Sequence, residues 1–392
     1  MSAVCGTRRR IVVVLLAVLT THALLGARQD EPQRARHLYV RAVELEAHSN
    51  WPAALSLLWE AAGLAPRDAE VQSRLGEALE RIGALDAAIA AYRLSLAERA
   101  DSRKTSTSLI LALVKAGQGG EAVERARAMS AAAPRDPEWL FTLGLAQSEV
   151  NVDDAIGTFR RVLDLAPGHV LARYNLALVL KRTDRLQDAL DELGRALAIE
   201  PRPEVHYTRG IIYWHRGDLD RAASALRDAI AMQPRYVEAH SALGSVLNAK
   251  RDRAGAAAAL RRAITLAPEV PATHYTLAQV LRTAGDERGA GNALAEAERL
   301  RSRRESEQEA TMWTSTGTEK FNRGDLTGAL ALFLRATKAS DHYAPAFYQM
   351  GRTLQGLGQP DAARRAFAKA SELNPSLVPP AAPKRPQSKS PE

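Results

Sequence analysis

A spacing of 33 to 34 residues repeats along the chain and constrains its fold more than any other feature. An alanine recurs at intervals of 34, 34, 33, 34, 33, 34, 34, 39 and 34 residues, at Ala54, Ala88, Ala122, Ala155, Ala189, Ala222, Ala256, Ala290, Ala329 and Ala363. Proline follows twelve residues after seven of these ten alanines, at Pro66, Pro134, Pro167, Pro201, Pro234, Pro268 and Pro375. Ten units in one register indicate one small structural element that is built ten times.

Each unit has the pattern of two short amphipathic helices separated by a sharp turn. In the stretch from Pro203 to Tyr236, the turn is predicted at Gly217-Asp218, and Pro234 ends the second helix. Proline ends a helix because it lacks a backbone N–H and keeps the residue before it out of the helical region. No stretch alternates apolar and polar residues for long enough to indicate a sheet. The sequence therefore predicts an all-α protein.

A second row of small residues recurs in the first helix of each unit. It comprises Ala42, Gly76, Gly144, Ala177, Gly210, Gly244, Ala278, Gly317 and Gly351, and Ile110 interrupts it. Glycine or alanine at a helix crossing lets two backbones approach closely. Two helices of about a dozen residues cannot bury a full core alone, so we expect each pair to stack on its neighbours.

This pattern resembles the tetratricopeptide repeat, whose signature is W-x2-L-G-x2-Y, then A-x3-F, then P. The last unit has the corresponding residues Phe347, Met350, Gly351, Leu354, Ala363, Phe367 and Pro375. The resemblance covers ten units from Ala35 to Leu377, nearly all of the chain after its N-terminal segment. It implies a right-handed α-solenoid of about ten helix-turn-helix repeats over residues 35–377.

Residues 1–27 have the composition of a secretory signal peptide. Three arginines, Arg8 to Arg10, precede an apolar run from Ile11 to Leu19, and the segment ends in Leu25-Gly26-Ala27. We expect a cleaved signal, with a retained N-terminal anchor or a buried N-terminal helix as the alternatives. Cleavage would place the protein outside a bacterial cytoplasm, in the periplasm or the extracellular space. Residues 28–34 are expected to be a short polar linker.

Charge and cysteine content argue against several classes of function. The net charge of +8 includes Arg8, Arg9 and Arg10, and the remaining charges are interspersed along the chain, so a nucleic-acid partner is not expected. The only cysteine is Cys5, which lies within the predicted signal. The processed chain would therefore have neither disulfides nor cysteine metal sites.

No motif for catalysis or cofactor binding is present, and we expect no enzyme activity, cofactor or metal. Gly285, Gly289 and Gly291 superficially suggest a nucleotide loop, but they fall at a turn and in a second helix, with no strand before them. His206, His240 and His274 occupy one position of three consecutive units. Stacked helices lie about 8–10 Å apart, too far for one ion to join equivalent residues, so these histidines are expected to pack.

Two segments depart from the repeat. Five additional residues fall near 299–309, where Arg301–Glu305 and Arg303–Glu307 have i,i+4 spacing. An extended, solvated helix is expected there, and a flexible joint or a basic contact patch is the alternative. Residues 378–392 are rich in proline and lysine and are expected to be disordered.

The resemblance also implies where a partner would bind. In the family, the fifth position of each first helix points into a concave groove. Position by position, with further residues along the same helix face, this gives Tyr39, Phe141, Tyr174, Lys181, Tyr207, Trp214, Tyr275, Arg282 and Tyr348 as candidate groove residues. Interfaces favour Tyr, Trp and Arg. The alternative is that these tyrosines only pack between neighbouring units.

The function predicted on these grounds is that of a non-enzymatic protein-interaction scaffold of the bacterial cell envelope. Its partner would be a peptide or a helix of another protein held in the groove. A membrane-tethered adaptor, attached only through its N-terminal segment, is one alternative. A regulatory subunit of a glycosyl- or peptidoglycan-processing enzyme complex is another.

Overall fold

The structure is a computed structural model, and it describes residues 31–375 and Leu377. The predicted signal or anchor (1–27) and the predicted disordered tail (378–392) lie outside the described residues. Helix α1 covers residues 31–47, so the last four residues of the expected linker 28–34 are helical. Near the start of this helix, Arg34 pairs with Glu60 of the next helix at 2.7 Å.

The described chain is all-α, as predicted. Within residues 31–375, α1 is followed by α2 Trp51–Leu64, α3 Ala69–Arg81, α4 Leu85–Glu98, α5 Arg103–Lys115, α6 Gly119–Ala132, α7 Pro137–Gln147, α8 Val152–Leu165, α9 Val170–Arg182 and α10 Leu186–Ile199. The second half has α11 Pro203–His215, α12 Leu219–Met232, α13 Val237–Ala249, α14 Arg253–Leu266, α15 Pro271–Thr283, α16 Glu287–Asn322, α17 Leu326–Ala339, α18 Ala344–Gly356 and α19 Pro360–Leu373.

Consecutive helices pair into ten hairpins, each with a first helix, called A, and a second helix, called B. Hairpins 1 to 7 are α1/α2 through α13/α14, and hairpin 10 is α18/α19. Helix α16 is shared, because its first half is the B helix of hairpin 8 and its second half is the A helix of hairpin 9. The result is a solenoid of helical repeats, divided by its contacts into two compact units at Val205 and His206. Unit 1 contains hairpins 1 to 5 and the first three residues of α11, and unit 2 contains the rest of hairpin 6 and hairpins 7 to 10.

Local sequence explains the turn inside a hairpin. In hairpin 6, Gly217 has a φ of +76°, a left-handed conformation that glycine adopts without strain. The side chain of Asp218 then accepts a hydrogen bond from the backbone N–H of Arg221 at 3.1 Å and caps α12. The predicted break at Gly217-Asp218 is therefore observed.

The ten recurring alanines are buried, with at most 3% of each residue exposed. They lie where the B helix crosses the A helix of its own hairpin. In hairpin 6, the backbone carbonyl of Ala222 would lie 3.3 Å from a Cβ added at Gly210. The alanine row thus marks a close crossing of the two helices, which is why the spacing predicts the fold.

One A-helix position links each of four hairpins to the one before it. Its side chain bonds the backbone carbonyl of the proline six residues earlier, in Gln72–Pro66 at 3.0 Å, Arg173–Pro167 at 2.8 Å, His240–Pro234 at 3.1 Å and His274–Pro268 at 2.8 Å. Since a carbonyl can only accept, each of these two histidines carries its proton on Nε2. The buried histidines thus pack as predicted and also tie neighbouring hairpins together.

The stack of hairpins in unit 2 is interrupted along α16. Five residues before the small residue, each A helix has a position that is covered when the preceding hairpin stacks on that helix. Thr273 and Ala346 occupy this position and are buried. In hairpin 9 that position is Met312, which is 51% exposed. The B-helix position after the recurring alanine, buried as Ala223 and Ala257, is the exposed Gly291 in hairpin 8. Hairpin 9 therefore continues from hairpin 8 along one helix and does not stack on its face.

The five additional residues of the sequence lie in this continuous helix. Residues 301–305 of α16 are all exposed. Arg301 pairs with Glu298 at 2.5 Å and with Glu305 at 3.7 Å, and Arg303 pairs with Glu307 at 2.8 Å. Such i,i+3 and i,i+4 pairs stabilise a solvated helix without tertiary packing.

Candidate functional site

The A-helix face that the resemblance assigns to a groove is partly accessible in both units. Eight of the nine candidate residues are half-buried, and Arg282 is exposed. Tyr39, Phe141, Tyr174 and Lys181 belong to unit 1, and Tyr207, Trp214, Tyr275, Arg282 and Tyr348 belong to unit 2. Each unit therefore has its own set of candidate contacts.

Tyr39 is held in place by neighbouring charges. Its hydroxyl donates to Glu70 Oε1 at 2.8 Å, and Arg36 lies over its ring at 4.9 Å. Burial, with the Glu70 carboxylate adding to it, raises the pKa of Tyr39 to about 12. Hydrogen bonds from Arg36 and Tyr39 lower the pKa of Glu70 in turn. Tyr39 therefore stays protonated at neutral pH and acts as a hydrogen-bond donor.

Beside Tyr39 lies a polar cleft that the sequence did not reveal. Arg74 bridges Glu46 at 2.5 Å and Glu77 at 3.0 Å, and Lys104 reaches Glu77 at 2.5 Å. The buried Nε of Arg74 has no hydrogen-bond partner among the described atoms. Acidic and basic groups alternate here and largely satisfy one another. The cleft offers hydrogen bonds, and Arg74 and Lys104 in its lining are already paired with carboxylates of the chain.

The aromatic residues of the row also contact their own chain. Phe141 lies 4.8 Å from the ring of His169, and Tyr348 packs edge-on against Phe367 at 5.6 Å. In unit 2, the ring of Tyr207 lies 5.2 Å from that of Tyr236. These contacts agree with packing between neighbours, yet each residue of the row keeps part of its surface in solvent. Both predicted roles of the row, binding and packing, are compatible with this geometry.

Tyr275 and Trp214 also lie on A helices of unit 2. The Tyr275 hydroxyl donates to Glu298 of α16 at 2.8 Å, and this hydrogen bond raises the tyrosine's pKa. Trp214 packs beside the core of hairpins 6 to 8 and remains half-buried. Arg282, on the same helix as Tyr275, is exposed to solvent. A partner at this face would meet two aromatic rings and one exposed cation.

The predicted row misses a set of aliphatic side chains in unit 1. Four aliphatic residues lie on the same helix face as the row and are half-buried, as most of the row is: Leu111, Val114, Leu145 and Leu178. The three leucines each follow directly after the small-residue position of their A helix. Leucine is common in cores, so only this register shows that these leucines lie at the surface.

The residues considered for other chemistry have structural roles. Gly285 has a φ of +85° in the turn before α16, and the N–H of Gly289 donates to the capping Asp286 at 2.8 Å. Among the described residues, no group of three or more His, Cys, Asp or Glu side chains could hold a metal ion. In the same part of the chain, none of the helices has the length and apolar content needed to cross a membrane.

Comparison with known families decides what these hairpins are. The sequence pattern described as tetratricopeptide repeat matches residues 39–103, 146–210, 207–271 and 344–377, which is more than half of the chain. The chain is a tetratricopeptide repeat protein. A search among curated proteins gave no match.

Several solved structures have a similar fold. A tetratricopeptide repeat protein from Parabacteroides merdae is 17% identical, with a TM-score of 0.51 over 64% of this chain and 99% of that chain. MamA is 20% identical, with a TM-score of 0.40 over 41% and 96%. TTC0263, a thermophilic repeat protein from Thermus thermophilus, is 21% identical, with a TM-score of 0.41 over 46% and 98%. At this level of identity, the first of these shares the fold.

The repeat family generally binds protein partners and generally has no enzymatic activity. The fold of this tetratricopeptide repeat protein is accordingly that of a protein-interaction scaffold. Its A-helix faces carry half-buried aromatic and aliphatic side chains, and they form the candidate binding surface.

Proposed function

We propose that the protein is an exported scaffold of the bacterial cell envelope and that it binds a peptide or a helix of a partner protein at its A-helix faces. The observation that carries this proposal is the half-buried state of the candidate residues. Tyr174 and Tyr207, for example, are neither sealed in the core nor fully solvated. Such side chains offer large amphipathic contact area at low entropic cost, as interface hot spots do.

Export rests on the N-terminal sequence. A basic start, an apolar run from Ile11 to Leu19 and a small-residue exit are the features of a signal peptide. If this segment is retained, the protein is a tethered adaptor, bound to the membrane only there. In that form it could hold a partner enzyme of the envelope, such as one that processes peptidoglycan.

Cross-linking in the native envelope tests the binding proposal. The full-length protein and the double variant Tyr174→Ala/Tyr207→Ala are compared for the partner that each captures. We expect the double variant to lose the partner while its helical content stays the same. Trp59→Ala is the control, because Trp59 is 52% exposed on a B helix, away from the A-helix faces. Equal recovery from the double variant and the wild type would reject these residues as contacts.

Fractionation tests the location separately. N-terminal sequencing of the protein from the envelope fraction shows whether residues 1–27 have been removed, and a salt wash shows whether the chain stays with the membrane. A processed, soluble envelope protein is the expected result. A full-length chain that resists the wash would favour the tethered adaptor, and a chain found only in the cytoplasm would reject both.

A further inference from the structure

Two hairpin faces of unit 2 have no neighbouring hairpin in the described chain, because hairpin 9 continues from hairpin 8 along α16. On hairpin 8, Gly291 is exposed and Leu294 is half-buried, whereas the equivalent Leu226 and Leu260 are buried. On hairpin 9, Met312 is 51% exposed. Gly291 and Leu294 mark the end face of hairpin 8, and Met312 marks the start face of hairpin 9. Repeats are stabilised by contact with their neighbours, so both faces lack a contact that the fold normally provides.

The two faces correspond to the two sides of an ordinary junction between stacked hairpins. Elsewhere in the chain, the residue equivalent to Met312 contacts a serine on the A helix of the preceding hairpin. The hydroxyl oxygens lie 3.1 Å apart in Ser73–Thr105 and 3.4 Å apart in Ser241–Thr273. In hairpin 8 the position of these serines holds Tyr275. Met312 would therefore meet a Tyr275 wherever a hairpin 9 stacked on a hairpin 8.

The residues on these faces differ from those at the outer ends of the described stack. There the same two positions are charged or polar and exposed, as His37 in hairpin 1 and Arg364 in hairpin 10. The interior faces instead have the uncharged residues Gly291 and Met312. Nothing lies within 4 Å of a Cβ added at Gly291, so this chain alone does not require a glycine there, where it weakens the helix. A glycine on one face and a large flexible side chain on the other are complementary in size.

The carboxylates on the two faces are already paired within the chain. Glu298 accepts a hydrogen bond from the Tyr275 hydroxyl at 2.8 Å and pairs with Arg301 at 2.5 Å. Glu319 lies 4.0 Å from Arg323. Covering the faces would therefore leave neither carboxylate without a counter-charge.

The two faces also lie on the same side of α16. Gly291 and Met312 are 21 residues apart in sequence, which is about 31 Å along a helix that rises 1.5 Å per residue. At 3.6 residues per turn, their directions differ by about 60° around the helix axis. A two-fold axis across the middle of α16, near Ser302, therefore brings the Met312 of each copy to the end face of the other. Both faces of both copies are then covered without any bend in α16.

We propose that two copies of this chain form a two-fold dimer, in which the start face of hairpin 9 of each copy stacks on the end face of hairpin 8 of the other. The two α16 helices run antiparallel, and Met312 lies against Tyr275 and Gly291 of the second copy. Methionine sulfur makes favourable contacts with aromatic rings. The dimer thus forms between copies a junction that the repeat usually forms within one chain, as in domain swapping. It does not depend on the scaffold function, and dilution returns the monomer described above.

Sedimentation equilibrium of the full-length protein over a range of concentrations tests for the dimer. Met312→Glu should weaken the dimer about tenfold or more, because it places a second carboxylate near Glu298. Gly291→Leu should have the same effect from the opposite face, since leucine fills the space that Met312 would occupy. Leu334→Glu is the control. Leu334 is 52% exposed on α17, and the equivalent Arg261 stays exposed within the stack, so this position lies outside both faces.

Thiol cross-linking distinguishes a second copy from closure of the chain on itself. In a Cys5→Ser background, which has no other cysteine, Gly291→Cys/Met312→Cys is treated with a short bifunctional thiol reagent. We expect a product with the mass of two chains. If α16 instead bends and hairpin 9 stacks on hairpin 8 of the same chain, the product has the mass of one chain.

A single cysteine near the two-fold axis gives an independent readout. Ser302→Cys, in the same background, should form a disulfide between two copies on oxidation, because this residue lies near the axis on the side of Gly291. Arg303→Cys is the matched control, since its side chain points about 100° further around the helix and away from the second copy.

Each of these experiments can overturn the inference. A protein that stays monomeric at every concentration, or a cross-link within one chain, would exclude the swapped dimer. A dimer that Met312→Glu and Gly291→Leu leave unchanged would form through another surface. Circular dichroism checks the folding of each variant, and if Met312→Glu does not fold, Gly291→Leu and the two cross-links decide. None of these results bears on the scaffold function, which is tested by native cross-linking of the Tyr174→Ala/Tyr207→Ala variant.

Discussion

Gly144 lies so close to Phe159 that a Cβ on the glycine would be 2.6 Å from Cε1 of the ring. The two residues belong to the A and B helices of hairpin 4, and the ring occupies the space that a side chain would need. The same relationship joins Gly76 with Tyr92, where the corresponding distance is 2.5 Å. Glycine is thus required here by its size, in the middle of a helix where it would otherwise be unfavourable.

Gly144→Ala should therefore destabilise the protein, although alanine is the better helix former. Overpacking of this kind costs about 1–3 kcal/mol, because the Phe159 ring must move. Gly157→Ala in the other helix of the same hairpin is the matched control. Nothing lies within 4 Å of its added Cβ, so it should stabilise by about 0.5–1 kcal/mol. Thermal unfolding of both variants shows whether each raises or lowers the stability. A Gly144→Ala protein as stable as the wild type would contradict the close packing of Gly144 against Phe159.

The same contact explains the one break in the row of small residues. Where hairpin 3 has Ile110 in place of the small residue, the facing B-helix position is Ala126, and both residues are buried. In hairpin 3 the large residue is on the A helix and the small residue is on the B helix, which is the reverse of hairpin 4. The two residues together therefore fill a similar volume. The sequence showed the row of small residues and its interruption. The sequence did not show that Ala126 compensates for Ile110, because only the structure shows that positions sixteen residues apart face each other where the A and B helices cross.

His274 should be replaceable by glutamine but not by phenylalanine. Its Nε2 donates to the carbonyl of Pro268, and Gln72 makes the equivalent bond to Pro66 in hairpin 2. His274→Gln can keep this hydrogen bond, whereas His274→Phe loses it, at a cost of about 0.5–1.5 kcal/mol. The midpoint of urea unfolding should fall for the phenylalanine variant only. If both variants lower it equally, the hydrogen bond is not what stabilises this junction.

The candidate site was predictable as a face, but not in its details. The register of the repeat placed Tyr207 and Tyr275 on A helices, and the structure finds both half-buried there. Their partners, Tyr236 and Glu298, lie outside those helices, and periodicity does not specify those contacts. Leu145 was missed because leucine at a surface and leucine in a core look alike in sequence.

His206 should make unit 2 less stable in acid. Burial lowers its pKa, Arg209 acts in the same direction, and Asp228, 3.6 Å from Nδ1, opposes the effect. The folded state therefore resists protonation, while the unfolded state takes up a proton as the pH falls through about 6.5. Keeping His206 neutral therefore costs the folded state nothing above that pH, and it lowers the free energy of unfolding as the pH falls below it.

Unfolding midpoints measured between about pH 7.5 and 5.5 should accordingly fall less in His206→Gln than in the wild type. His342→Gln, which removes a histidine that is 60% exposed, is measured beside it for comparison. If the unfolding midpoint changes with pH equally in the wild type and in His206→Gln, other groups cause the acid sensitivity.

A helix break in the exposed part of α16 should leave the hairpins on both sides intact. Ser302 lies within residues 301–305, which contact no other helix face closely enough to be covered. Ser302→Pro removes one helical hydrogen bond and costs about 3 kcal/mol locally. Hairpins 8 and 9 are stabilised elsewhere, through Ala297 on one side and Ala310 on the other, both fully buried. Amide hydrogen exchange should therefore accelerate only around residue 302.

Ala297→Pro is the contrasting variant, because it breaks the same helix where it packs. It should raise exchange throughout α15 and the first half of α16, since hairpin 8 loses its B helix. The contrary result is that Ser302→Pro accelerates exchange in α15 or α17 to the extent that Ala297→Pro accelerates it in α15. Hairpins 8 and 9 would then unfold together, coupled through the exposed turns of α16. The observed exposure of Met312 and Gly291 at the two uncovered faces argues for the opposite result. Hairpins 6 to 8 and hairpins 9 and 10 should then unfold as separate cooperative blocks, as expected for repeats that are stabilised only by contact with their neighbours.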